Sequence, residues 1–145
     1  MPQMRALLDV KVLIALLDSD HISHGSAMAW ISDHATDGWA SCPITENGCV
    51  RIMSHPGYPN AHSVTDIVER LRAATAHVAH GFWPDNQSLL DERLIDTTRV
   101  HGPRQLTDLY LLALAVKHGG RLVTFDATIA TGAVKGAKPQ HLVRL

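Results

Sequence analysis

Two short apolar runs near opposite ends of this chain each stop on an aspartate. Arg5-Ala6-Leu7-Leu8 closes on Asp9, and Arg121-Leu122-Val123-Thr124-Phe125 closes on Asp126. Both runs read as buried strands, and an acid at the tip of a buried strand is not an ordinary solvated charge. In a chain that alternates strands and helices it lies at the carboxyl edge of the sheet, where such folds place their ligands. Two more acids, Glu46 and Asp108, fall in the first turns of helical segments that begin on that same side. Free N–H groups and the helix dipole there favour the ionised carboxylate. Several carboxylates gathered in one place repel one another unless a divalent cation neutralises them. The pattern points to metal-assisted phosphate chemistry.

The alternation itself favours an α/β fold with a parallel sheet. Residues 4–8 form the first strand and 12–17 a helix. A second helical stretch over 24–36 ends at Gly38, and residues 39–42 form a second strand before Pro43. Residues 45–53 read as a helix bearing Glu46, and 55–60 as a loop. The apolar positions of 63–77 recur at helical spacing. Residues 81–84 suggest a short strand, 85–90 a turn or short helix, and 93–96 a short extended piece. The clearest helix spans 105–118, with Thr107 available as a cap and Gly119-Gly120 as the stop. Residues 122–125 are the strongest strand, and 141–145 add an edge strand. Nothing in the pattern divides the 145 residues, so 1–145 is expected to form one domain.

Composition narrows the function classes. A hydrophobic share of 46% and a charged share of 19% are those of a globular chain, not a disordered one. No apolar stretch is long enough to cross a bilayer, and no signal peptide is evident, so no membrane role is expected. Cys42 and Cys49 are too few for a disulfide framework, and a cytoplasmic protein with reduced thiols is the plain expectation. The net charge is −1, but its distribution is uneven. Residues 1–96 hold twelve Asp/Glu against six Lys/Arg, whereas 97–145 hold seven Lys/Arg against Asp108 and Asp126 alone. A basic surrounding suits a polyanion that must approach carboxylates, although the same residues serve equally as a solvated surface. Arg99 and Arg104, in the loop leading to Asp108, are the candidate contacts to a substrate backbone.

Taken singly, each acid could be a helix cap or first-turn charge. Taken together they carry a family resemblance. The segments Leu7-Leu8-Asp9-Val10-Lys11-Val12-Leu13-Ile14-Ala15-Leu16, Ile44-Thr45-Glu46-Asn47-Gly48, Thr107-Asp108-Leu109-Tyr110-Leu111-Leu112-Ala113-Leu114-Ala115 and Leu122-Val123-Thr124-Phe125-Asp126 resemble those of PIN-domain proteins, and in particular VapC-type toxins of bacterial toxin–antitoxin pairs. The resemblance implies a PIN-like three-layer α/β/α fold around a mostly parallel sheet of four to five strands. It implies a Mg²⁺- or Mn²⁺-dependent endoribonuclease, homodimers and a cognate VapB-like antitoxin. By position Asp9, Glu46, Asp108 and Asp126 are its acidic residues. Asp9 and Asp108 are then direct ligands, Asp126 completes the shell, and Glu46 binds a second ion or orients the attacking water. Thr124 stands where a hydroxyl usually supports the cluster.

One position departs from the family. Two residues after the first acid a small polar side chain, most often Asn, is usual; here it is Lys11. The ammonium could swing outward, cripple the nuclease by competing with the metal, or touch the scissile phosphate. It also supports a rival in which the domain is a non-catalytic binding or assembly module. A phosphatase of the haloacid-dehalogenase kind would need a second Asp where Lys11 stands, and a receiver domain an acidic pair this chain does not arrange. The ten histidines lack ligand spacing, His21 and His24 coming nearest, while His101 and His118 lie in the basic part. Trp30, Trp39 and Trp83 read as core or interface anchors before they read as base-stacking platforms.

Overall fold

Leu7 and Leu8 have no solvent exposure because their strand is the middle of the sheet. In the computed structural model, which describes residues 4–145, β1 (Ala6–Leu8) is flanked by β2 (Trp39–Ser41) and β4 (Arg121–Thr124). Outside these lie β3 (His80–Phe82) and β5 (Leu142–Arg144), giving the order β3-β2-β1-β4-β5 with every pairing parallel. Parallel neighbours need crossovers, and helices supply them: α1 (Val10–Leu17) and α2 (His24–Asp33) lead from β1 to β2, α3 (Pro43–Met53) and α4 (Val64–Thr75) from β2 to β3, and α5 (Leu106–Lys117) precedes β4.

Side chains alternate across the strands, and the two faces collect separate cores. Leu7, Ala40, Leu122 and Leu142 pack with Leu109, Leu112 and Ala113 of α5. Ala6, Leu8, Trp39 and Val123 pack with Leu13, Cys49, Ile67 and Leu71 of α1, α3 and α4. The result is the three-layer α/β/α sandwich that the sequence implied, with five strands. Among the described residues no helix is long and apolar enough to cross a membrane. Cys42 and Cys49 are buried and unpaired, and burial pushes their thiols up to about 11 and about 12.

Three local expectations change. Thr107 does not cap α5, because a 3-10 turn at Pro103–Gln105 runs straight into the helix, which therefore starts at Leu106. Of residues 85–90 only 89–90 form the expected turn; 85–88 have no regular structure, since their polar groups are used elsewhere: Asp85 accepts from the Ile44 N–H at 3.2 Å, and the Gln87 carbonyl accepts from the Tyr110 hydroxyl at 2.9 Å. Helix α1 begins two residues early because Asp9 caps it, accepting from the Val12 N–H at 2.9 Å.

The stop after α5 depends on a tight backbone approach. A Cβ on Gly120 would lie 2.4 Å from the Arg5 carbonyl oxygen and 2.6 Å from the Trp83 ring. That carbonyl also accepts the Arg121 N–H at 3.0 Å, the first rung joining β4 to the central strand, so it has little freedom to retreat. Gly120→Ala is therefore expected to cost at least about 1–3 kcal/mol of stability, seen in urea unfolding as a lower midpoint at unchanged slope.

Candidate active site

The chain winds outward from β1 in two directions, through β2 to β3 and through β4 to β5. The reversal falls between β1 and β4, and open parallel sheets bind ligands in the crevice beyond the strand ends at such a point. Asp9 immediately follows β1, and Asp126 lies two residues past β4. The Asp9 N–H donates to the Val123 carbonyl at 3.1 Å, which extends the ladder by one rung and ties the acid to the neighbouring strand. From the α5 side Asp108, in the helix's first turn, faces the same crevice. Asp9, Asp108 and Asp126 line one cleft of about 510 Å³, together with Lys11, Arg51 and Phe125.

A buried hydroxyl organises this edge. Thr124 is fully buried, donates to Asp9 Oδ2 and accepts the Asp126 N–H at 3.0 Å. One proton and one lone pair thus orient two of the acids. Asp9 Oδ1 is held by the Val12 N–H, so this residue is both helix cap and cleft wall. Asp126 turns one oxygen back to the Thr128 N–H at 2.8 Å and hydroxyl at 2.6 Å. Thr124→Val should leave the Asp9 carboxylate without its buried donor. A loss of about 1–3 kcal/mol is expected, together with weaker divalent-ion binding; calorimetry of both unfolding and titration checks the pair of effects.

Electrostatics tie the three acids together. Asp108 is pushed up to about 6, by burial first and then by the charges of Asp9 and Asp126. Burial also raises Asp9, against the Thr124 and Val12 hydrogen bonds that lower it. Asp126 is held below the usual range, chiefly by its Thr128 contacts. The Lys11 ammonium acts on all three, favouring the charged form of each. Among the described residues it makes no direct ion pair; the salt bridges found there join Arg72 to Glu69, Arg93 to Asp91 and Arg121 to Asp37.

These residues suit a hard divalent cation in one specific way. The donors are carboxylate oxygens, and Asp108 is raised by burial first and then by the charges of Asp9 and Asp126, the part that such an ion would relieve. Among the described residues, however, no three His, Cys, Asp or Glu side chains are grouped tightly enough to hold an ion by themselves. An ion held here would take one or two of these carboxylates and keep several waters, a coordination that Mg²⁺ accepts.

Glu46 stands apart from the expected quartet. It accepts the Ser41 hydroxyl at 2.6 Å and lines a separate groove with Asn47, Val64, Val68 and Arg72. The reason is local: the Ser41 hydroxyl, fully buried at the end of β2, lies between Glu46 and His80, whose Nε2 is 2.7 Å away. With the Ser41 proton on Glu46, His80 must donate from Nε2. Arg99 also leaves the cleft, its guanidinium packing against Gly132, where a Cβ would come within 2.7 Å. Arg104 lines an adjoining groove that shares Asp126 with the cleft. His24 is tied to the Ala15 carbonyl at 2.8 Å and His118 stacks on Trp83. Trp39 and Trp83 are buried, as core anchors should be. Arg51, by contrast, carries no signal in the sequence: it closes the last turn of α3, and nothing in its local pattern separates it from other surface arginines.

Known proteins resemble this chain in sequence and fold. The PIN domain family matches residues 6–134. Ribonuclease VapC44 of Mycobacterium tuberculosis is 55% identical over 142 residues, which cover 98% of this chain and 100% of that protein. Ribonuclease VapC39 of the same organism is 43% identical over 134 residues, covering 92% and 96%, and ribonuclease VapC38 is 44% identical over 127 residues, covering 87% and 88%. Among solved structures, a chain of VapBC2 from Rickettsia felis, crystallised bound to a DNA fragment from its promoter, superposes with a TM-score of 0.53 at 12% identity, over 86% of this chain and 90% of that one. With a matching fold, a carboxylate cleft at the sheet's switch point and near-full-length identity to such enzymes, the chain belongs to the PIN-domain family, among its VapC-type ribonucleases.

Proposed function

We propose that the chain is the toxin of a VapBC-type pair and cleaves RNA as a Mg²⁺- or Mn²⁺-dependent endoribonuclease. The observation that carries this reading is the mutual crowding of Asp9, Asp108 and Asp126 in one cleft, with Asp108 held up to about 6. Asp9 and Asp108 would hold the ion, with Asp126 reaching it through water. When bound, such an ion polarises a phosphate and lowers the pKa of a water molecule. The chain's own residues supply the rest. Thr124 keeps Asp9 aimed and anchors the Asp126 backbone, and Arg104 offers a cationic contact to the RNA backbone next to the cleft. Glu46, engaged with Ser41, has no place in this shell unless it lets go of that hydroxyl, so Glu46→Gln should weaken metal binding less than Asp108→Asn.

A VapB-like antitoxin is the expected partner. Support comes from the VapBC2 neighbour and from the cleft's negative charge, which a cationic antitoxin side chain would neutralise. Homodimers and a cytoplasmic location complete the reading, the first carried by the resemblance to VapC-type toxins and the second by an RNA substrate. The test is cleavage-site mapping on total RNA, with the chain and with Lys11→Asn, in Mg²⁺, Mn²⁺ or EDTA. Cleavage at defined sites that EDTA abolishes is expected. If neither form cuts at high Mn²⁺, the second reading stands: a non-catalytic PIN domain that binds or assembles, for which Lys11 in the cleft is the favouring observation.

A further inference from the structure

The carboxylate cleft shares lining residues with two neighbouring grooves. Toward the end of α3 it shares Arg51 and Ile52 with a groove walled by His55, Gly57, Tyr58 and Pro59. Toward β4 it shares Asp126 with the groove of residues 101–105. Arg51 lines the cleft and the first groove, and Arg104 lines the second; both are exposed and both lack a carboxylate partner among the described residues. A polyanion crossing an acidic cleft needs cationic contacts on either side of it.

The α3 groove is a built surface. The Tyr58 hydroxyl donates to Asp18, at the end of α1, which fixes the ring. Tyr58 N–H donates to the His55 carbonyl at 2.9 Å, and Ala61 N–H to the Tyr58 carbonyl at 3.1 Å. The Gly57 N–H donates to His55 Nδ1 at 2.9 Å, so a neutral His55 carries its hydrogen on Nε2, available to a ligand. Pro56 and Pro59 stiffen the same turn. A cationic contact followed by a held aromatic ring and an imidazole donor is the combination that binds an unstacked nucleotide.

We propose that single-stranded RNA runs through all three grooves: one flanking phosphate against Arg104, the scissile phosphate at the acids, the next phosphate against Arg51, and the nucleotide beyond it held between His55 and Tyr58. The RNA is single-stranded because a duplex keeps its bases stacked inside, away from Tyr58. This track rests on the nuclease reading, yet it is tested by binding, which requires no cleavage and leaves Lys11 in place.

The probe is a fluorescently labelled short RNA of mixed sequence, titrated with the full chain in EDTA across a salt series and followed by anisotropy. Arg51→Gln should weaken binding about 5- to 10-fold and flatten the slope of log K against log salt by about 0.7, the value for one single-strand phosphate. Arg104→Gln should do the same, and the two should combine almost additively. His55→Ala and Tyr58→Leu should each weaken binding at an unchanged slope, since neither side chain contributes a phosphate contact. Because substitutions in this turn could disturb folding, the unsubstituted chain is also photocrosslinked to thiouridine-bearing RNA, and the adduct is expected on residues 55–58. Loss of affinity with Arg104→Gln but not Arg51→Gln, and no adduct in that turn, would overturn the track while leaving the nuclease reading intact. Equal binding of duplex DNA with the same dependence on Arg51 would overturn the single-strand assignment. Absence of both RNA binding and cleavage would overturn track and nuclease together.

Discussion

Lys11→Asn should tighten Mn²⁺ binding about tenfold, measured by calorimetry or by the loss of free-ion EPR signal. The ammonium shares the cleft with all three acids and favours the charged form of each, so it already supplies part of the compensation that a metal would bring. A metal entering the cleft meets that fixed positive charge. With no direct ion pair formed, an assumed separation of about 8 Å and an effective dielectric of about 20 give about 2 kcal/mol per unit charge before screening. Lys11 is exposed, and salt reduces the effect, leaving about 1–2 kcal/mol and hence roughly tenfold in affinity. The advantage of the asparagine form should shrink as ionic strength rises. Equal affinities at low salt would show that Lys11 turns outward, and the competition account would fail.

Asp108→Asn should separate function from stability in opposite directions. The sign follows from the raised carboxyl. Its folded pKa, about 6, lies above the unfolded value of about 4, so the native state holds the extra proton between these limits. Stability contributed by this group is therefore present below about pH 4 and falls as pH rises toward about 6, and the penalty persists at neutral pH. Two pKa units correspond to about 3 kcal/mol; partial solvent access reduces this to about 1–2 kcal/mol. In EDTA at neutral pH the substituted chain should accordingly melt a few degrees higher, with a flatter stability profile between about pH 4 and 6. The same change should cut metal-dependent cleavage more than the roughly 10–100-fold typical of losing a metal's outer-shell partner. If Asp108→Asn instead lowered the melting temperature in EDTA, the penalty of a buried charge beside Asp9 and Asp126 would not be what raises Asp108.

Much of the architecture was legible in advance because it depends on local patterns. Apolar runs at residues 6–8 and 122–123 read as buried strands, and the long apolar middle of 105–118 with its Gly119-Gly120 stop read as a helix. Strand ends and first turns placed Asp9, Asp126 and Asp108 at the same edge, since a parallel sheet brings every strand end to one side. Boundaries were less legible. Thr107 looked like a cap, but the Pro103 turn upstream had already started the helix.

Glu46 and Arg51 mark where local pattern stops being informative. Both lie on α3, and from the chain alone the acid belongs with the other carboxylates while the arginine belongs to the solvent. Folding reverses this. Ser41 and His80, thirty-nine positions apart, are brought together where β2 and β3 pair in parallel, and Ser41 draws Glu46 toward them. Arg51, five residues later on the helix, comes round to the cleft that Glu46 leaves.

Residue order alone therefore indicated the layers and the shared sheet edge of Asp9, Asp108 and Asp126, because strand burial and the polarity of parallel strands are properties of short segments, while the family showed through the resemblance of its motifs. Which charges share the crevice with those acids, and where Glu46 points instead, depended on contacts between segments far apart in the chain. Such contacts are set by packing and by the need of each buried polar group for a partner, and neither leaves a mark in local sequence.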